Sequence, residues 1–148
     1  LLQHGAQQDF AIDVAYGQLA WKIRQDDRVT VIERFNARKI TPADIGHAPV
    51  SLAVMDVSFI SLTKILSPLF KVFPIRIAVI ALVKPQFELP KSDIGPGGIV
   101  TDPQLHNKAI SKIKDFVKSY NLVTQDVMTS PILGPKGNTE FLIHITSP

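Results

Sequence analysis

The chain has 148 residues, 45% hydrophobic and 20% charged, with a formal net charge of +3. That length supports one domain with a real core, and that balance excludes a disordered chain. With no cysteine there is no disulfide framework, thiolate metal site or cysteine nucleophile, and no apolar run approaches the ~18 residues that cross a bilayer. The absence of cysteine is compatible with a cytoplasmic location, and the positive balance favours an anionic partner such as RNA, whose phosphates Lys and Arg neutralise.

Leu1-Leu2 followed by His4-Gly5 reads as the last turn of a helix with a glycine stop, so a natural N-terminus upstream is expected. Asp9 to Val14 reads as a strand, and Tyr16 to Arg24, with Leu19, Ala20 and Ile23 at helical spacing, as a helix. Val29 to Glu33 is a β-branched second strand. A polar stretch from Asn36 to Pro49 follows, in which Thr41-Pro42 starts a short helical turn. Ser51 to Val57 is the third strand. Ile60 to Phe73 has a helical pattern that Pro68 is expected to bend or split. Arg76 to Val83 is almost continuously apolar, the signature of a strand buried on both faces of a parallel sheet.

Pro85 to Val100 is a Pro- and Gly-rich loop. Asp102-Pro103 starts a helix that runs to about Tyr120, with Asp as cap and Pro at the first helical position. Leu122 to Met128 and Phe141 to Thr146 are the last two strands, joined by the turn-rich segment Pro131 to Asn138. Strands alternating with helices imply an α/β fold with a mostly parallel sheet. Two final strands with no helix between them imply an antiparallel hairpin at one edge.

Three apolar runs end in one charged residue each: Asp56 in Met55-Asp56-Val57-Ser58-Phe59, Lys84 in Leu82-Val83-Lys84-Pro85, and Glu140 in Gly137-Asn138-Thr139-Glu140-Phe141. Single charged strand ends are ordinarily solvated. Three of them, at the ends where α/β sheets place their ligands, are candidates for chemistry. Asp13 ends the first strand, where an acid in a nucleotide-binding α/β fold accepts hydrogen bonds from ribose hydroxyls. A solvated strand-end Asp reads the same way. Gly95-Pro96-Gly97-Gly98 follows a loop and lacks a GK[ST] sequel, so it fits a mobile lid better than a phosphate loop. Ser61-Leu62-Thr63-Lys64 matches S-x-x-K by chance, without its companion motifs. His4, His47, His106 and His144 show no metal spacing.

Taken in order, Ala11-Ile12-Asp13-Val14 with Tyr16-Gly17-Gln18-Leu19, Met55 to Leu62, Leu82 to Glu88, Gly97 to Pro103, and Ser130 to Pro135 with Gly137-Asn138 and Glu140-Phe141-Leu142 resemble the TlyA family. These are haemolysin A-like rRNA 2′-O-methyltransferases, and their catalytic domain resembles that of the FtsJ (RrmJ) enzymes. The resemblance implies a Rossmann-like sheet with S-adenosyl-L-methionine as methyl donor. It also implies a Lys-Asp-Lys-Glu tetrad acting on a ribose 2′-hydroxyl of ribosomal RNA. Asp56, Lys84 and Glu140 match the last three tetrad members. Asp13 matches the acidic cofactor residue, Asn36 lies where related enzymes contact the adenosine, and Asp56 also balances the sulfonium charge of the cofactor. Lys84 serves as a base only where a neighbouring cation or desolvation lowers its pKa. Arg34, Arg38, Lys91 and Lys136 are candidates to meet RNA phosphates.

The same resemblance puts an S4 RNA-binding domain, the glycine-rich cofactor loop, the central strand and the first tetrad lysine before Leu1. It follows that this chain alone is expected to be inactive, that the Asp13 and Asp56 strands should not pair normally with each other, and that the exposed incomplete sheet offers an edge for an oligomer. Asp56, Lys84 and Glu140 are expected to converge within about 6 Å, the range over which charges shift each other's pKa. Two other readings stay open: a non-catalytic module that binds RNA or protein, and a cytolysin. No amphipathic membrane-active segment supports the cytolysin.

Overall fold

The computed structural model describes residues 1–73 and 77–148. The chain forms two compact units, Leu1–Ala48 and Pro49–Pro148.

In the first unit, β1 (Asp9–Ile12) and β2 (Val29–Ile32) pair in parallel, from Asp9 opposite Val29 to Ile12 opposite Ile32. Their connection holds only one helical turn, α1 (Trp21–Arg24). The helix expected from Tyr16 does not form, because the local backbone is claimed elsewhere. Gly17 has φ 73°, a left-handed conformation that interrupts a helix, and its N–H donates to Glu33 Oε1 at 2.8 Å. Arg24 donates to the same carboxylate oxygen. The residue just after β2 thus fixes the loop just after β1. Leu2–His4 is a 3-10 turn closed by Gly5 at φ 90°, the expected glycine stop. Thr41 and Asp44 form the capping box that starts the turn Pro42–Ile45.

The second unit holds four strands in the order β3-β4-β6-β5: β3 (Leu52–Met55), β4 (Ala78–Val83), β5 (Val123–Thr129) and β6 (Phe141–Thr146). β3 and β4 are parallel; β6 runs antiparallel to both β4 and β5. The final hairpin is as expected, with β6 rather than β5 against the parallel pair. Among the described residues β1 and β3 belong to separate sheets and share no ladder, in line with the expectation that the Asp13 and Asp56 strands do not pair normally.

Helix α2 (Thr63–Val72) is continuous through Pro68, so the proline does not split it. Ile65 and Leu66 on one side and Leu69 and Phe70 on the other are all buried, and this packing outweighs the one backbone bond that Pro68 cannot make. The single turn α3 (Pro85–Glu88) follows β4. Helix α4 (Pro103–Lys118) starts where Asp102 accepts a hydrogen bond from the Gln104 N–H at 2.8 Å. The core combines the apolar faces of α2 and α4 with Val79, Ala81, Val83, Ile143 and Ile145.

The expectation that β4 is buried on both faces is corrected. Val79, Ala81 and Val83 are buried, but Ile80 is 36% exposed and its register partner Val54 is 56% exposed. One face of this sheet carries the core, and the other is apolar without full cover. The expected start of the strand at Arg76 lies outside the described residues.

Candidate active site

Both charged strand ends of the parallel pair fall just beyond the ladder. Asp56 follows Met55 at the end of β3, and Lys84 follows Val83 at the end of β4. In a parallel pair these are the carboxyl ends, where the backbone turns away and leaves room for ligands. Lys84 Nζ lies 2.6 Å from Asp56 Oδ1 and donates to Ser58 Oγ at 3.0 Å. The lysine side chain is 8% exposed and the aspartate 68%. A buried amine is therefore held by two acceptors from one loop, and the pair opens to solvent on the aspartate side. The turn that follows Lys84 is set locally, because Pro85 directly after it opens α3 and commits the chain to turn there.

Glu140 enters from β6. The antiparallel register runs from Val79 opposite Ile145 to Val83 opposite Phe141. Continued by one residue it sets Glu140 opposite Lys84, and directly opposed residues point to the same face. Glu140 is 5% exposed. Its Oε1 is enclosed and has no hydrogen-bond partner among the described residues. The carboxylate packs on Gly134, where a Cβ would collide with it. The structure thus joins Asp56 to Lys84 directly and places Glu140 across the register from Lys84.

Three further side chains enter that the strand-end pattern does not single out, although each lies in a segment that carries the family resemblance. Ser58 is the second acceptor for Lys84. Phe59 has φ 63° and is 91% exposed, with its ring centroid 5.1 Å from that of Phe87. Asn138, 3% exposed, accepts from the Val100 N–H and donates to the Gly98 carbonyl, both at 3.0 Å. Lys136 Nζ donates to the Gly97 carbonyl, and the Gly95 N–H closes on the Ile99 carbonyl. The glycine loop is tied down by these bonds, in place of the free lid expected from its composition.

In the first unit, Asp13 is exposed just beyond β1, with Oδ1 accepting the Ala15 N–H at 2.8 Å. Asn36 Oδ1 accepts from both the Arg38 N–H and Arg38 Nε at 3.1 Å. That oxygen caps its own turn, so the contact with a ligand expected of Asn36 is left to its amide NH2. The Arg34 guanidinium lies 4.4 Å over the Tyr16 ring.

Residues 1–147 match the FtsJ-like methyltransferase family. The chain belongs to that family. It is 45% identical over 147 residues to YqxC of Bacillus subtilis, named as an rRNA methyltransferase, covering 99% of this chain and 52% of that protein. It is 44% identical over 145 residues to the 16S/23S rRNA (cytidine-2′-O)-methyltransferase TlyA of Mycobacterium tuberculosis, covering 98% of this chain and 54% of TlyA. The crystal structure of a protein named as a hemolysin from Lactococcus lactis superposes with a TM-score of 0.94 at 42% identity, covering 99% of this chain and 70% of that one. The FtsJ-like chain thus spans about half the length of the curated relatives it matches. Its cofactor is S-adenosyl-L-methionine. An exposed carboxylate directly after a parallel strand has the chemistry to accept hydrogen bonds from ribose hydroxyls, and Asp13 stands at such a position.

Proposed function

We propose that the protein carrying this chain methylates a ribose 2′-hydroxyl of ribosomal RNA, with Asp56, Lys84 and Glu140 acting on the acceptor and Asp13 and Asn36 holding the donor. The observation that carries this reading is the buried Lys84 amine, held by Asp56 and Ser58 at the carboxyl ends of two adjacent parallel strands. S-adenosyl-L-methionine supplies an electrophilic methyl group on a sulfonium. Lys84, as the neutral amine that a neighbouring cation in the complete enzyme would favour, takes the proton of the 2′-hydroxyl while the oxygen bonds to the methyl carbon and the sulfonium S–C bond breaks to leave a neutral thioether. Its ammonium form is then held by Asp56 and Ser58, which is the arrangement described here. Asp56, two-thirds exposed, supplies negative charge facing the cationic donor as well as the lysine. Glu140, opposite Lys84 in the register, adds a second carboxylate. An enclosed carboxylate oxygen without a donor is costly unless a ligand completes it, and a ribose hydroxyl is a fitting donor.

The exposed Phe59 ring, backed by Phe87 beside this site, supports a nucleotide as acceptor. Stacking on an aromatic face contributes about 1–3 kcal/mol per base and tolerates any sequence. TlyA acts on cytidine in 16S and 23S rRNA by its name, and rRNA in an assembled or partly assembled ribosomal subunit is the substrate class proposed here, reached in the cytoplasm. Arg34, Arg38, Lys91 and Lys136 are candidates for phosphate contacts. Among the described residues β1 pairs only with β2 and β3 only with β4. Part of the proposal is that a further strand, with a glycine-rich cofactor loop and a second lysine, belongs to the complete enzyme. An oligomer through the open edges is the alternative use of those strands.

The test is methyl transfer from radiolabelled donor to ribosomal RNA by the full-length gene product, with 2′-O-methyl mapping of the product. Incorporation at a ribose oxygen, lost in Lys84→Ala, is expected. RNA binding without incorporation would reduce the protein to a non-catalytic module.

A further inference from the structure

Among the described residues of the second unit, Glu88 is the most enclosed charged side chain that the chemistry above leaves unused, at 1% side-chain exposure. It ends the single turn α3, four residues after Lys84. Its carboxylate accepts from the Leu62 N–H at 2.7 Å, from Ser61 Oγ at 2.5 Å and from Lys112 Nζ at 2.9 Å. Lys112, from α4 and 42% exposed, also donates to the Glu88 carbonyl at 2.6 Å.

These bonds connect two segments that meet again at the site. The loop after β3 carries Asp56 and Ser58 and ends at Ser61-Leu62. The turn after β4 begins at Lys84 and ends at Glu88. The two run side by side and are bridged three times: Lys84 to Asp56 and Ser58, Phe87 to Phe59, and Glu88 to Ser61 and Leu62. The first bridge holds the amine that the reaction uses. The last is buried, charged and braced from a separate helix. Burying a carboxylate is costly unless it is paired and hydrogen-bonded, and the Leu62 N–H is one of the free donors that open α2. Neutral capping of α2 needs no carboxylate with an ammonium partner. Charge-assisted bonds from the Glu88 carboxylate to the loop and to Lys112 fix the spacing of the two segments more stiffly than packing alone.

We infer that Glu88, braced by Lys112, is a positioning residue for the Asp56–Lys84 pair. It sets the distance between the Asp56–Leu62 loop and the Lys84–Glu88 turn, and hence the placement of the Lys84 amine against the reacting hydroxyl. The inference rests on the methyltransferase reading of the site. Misplacement of a reacting group by about 1 Å costs on the order of 10²-fold in rate, while contacts that bind the RNA or the donor elsewhere are left intact.

Glu88→Gln keeps the size and one acceptor for the Leu62 N–H but loses the charge. Measured on the full-length gene product, it is expected to lower kcat by about tenfold or more, with KM for RNA and donor affinity within about twofold of wild type. Lys112→Met, on a half-exposed side chain, is expected to lower kcat in the same direction by about three- to tenfold, with Lys112→Arg recovering most of the loss. If Glu88→Gln does not fold, the Lys112 pair alone decides. Wild-type kcat in the folded Glu88→Gln or Lys112→Met protein overturns the inference. So does a loss confined to thermal stability with kcat per folded molecule unchanged, which would make the cluster structural only. A wild-type protein that transfers no methyl group to RNA refutes the functional reading itself, a different result from active wild type with indifferent variants.

Discussion

Gly134→Ala separates packing from backbone effects at the Glu140 carboxylate. Gly134 has φ −72° and ψ −179°, extended backbone that alanine adopts freely and that suits a residue before Pro135. The substitution therefore introduces no backbone strain. The obstacle is the Glu140 side chain: the new Cβ would collide with its carboxylate and crowd its stem. Glu140 is flexible, but at 5% exposure it has little room to swing into. Overpacking of this kind costs about 1–3 kcal/mol, whereas removing a glycine from the unfolded chain contributes about 0.4–1 kcal/mol in the other direction when the site is unobstructed. In a Glu140→Ala background the obstruction is gone, and Gly134→Ala should be neutral or stabilising by that smaller amount. The unfolded-chain contribution is common to both backgrounds and cancels, so the coupling between the two positions is about 1–3 kcal/mol. Urea unfolding followed by circular dichroism, on all four members of the cycle, measures it. Methyl transfer by Gly134→Ala should fall at least about tenfold, because the carboxylate moves even where the fold survives. Equal stability changes in both backgrounds, or a single variant with wild-type turnover, would refute the packing of Glu140 on Gly134 as the reason for glycine there.

Lys84→Ala should abolish 2′-O-methylation while leaving donor affinity within about twofold, since in the proposed mechanism the amine meets the reacting hydroxyl and its loss removes transition-state interactions. Lys84→Arg should fail equally, because a guanidinium does not give up its proton near neutral pH; near wild-type turnover in that variant would reduce Lys84 to charge placement. Asp13→Ala should behave in the opposite way, weakening donor binding measured by calorimetry before it affects turnover at saturating donor. The Glu33 carboxyl is held below its ordinary 4.5 first by the Arg24 hydrogen bond and then by the Gly17 N–H. A depressed carboxylate pKa gives stability that is complete above 4.5 and is lost as pH falls through the lowered value. Glu33→Gln should therefore destabilise the first unit at neutral pH and remove part of its acid sensitivity, read from unfolding midpoints between pH 7 and pH 3. Identical acid limbs in the two proteins would rule out that contribution.

The sequence by itself determined the order and type of most elements, because period and punctuation are local. Asp102-Pro103 starts α4, Thr41 and Asp44 cap the turn at Pro42, and Gly5 closes the first turn in its left-handed conformation. It also marked Asp56, Lys84 and Glu140, since a lone charge ending an apolar run is visible without coordinates. Tertiary structure decided what those residues touch. The Tyr16 helix failed because Glu33, sixteen residues on from Gly17, takes the Gly17 N–H. Pro68 did not split α2 because four buried side chains hold both sides of it. Register set Glu140 opposite Lys84, and the fold, not the spacing, gave Lys84 its second acceptor in Ser58. Glu88 shows the limit most clearly. In the sequence it is one acid near the start of a Pro- and Gly-rich loop, at the end of a segment that carries the family resemblance. Only the meeting of the Asp56–Leu62 loop, the turn after Lys84 and the α4 helix encloses it, because pairwise contacts between residues 24 to 27 positions apart leave no trace in local pattern.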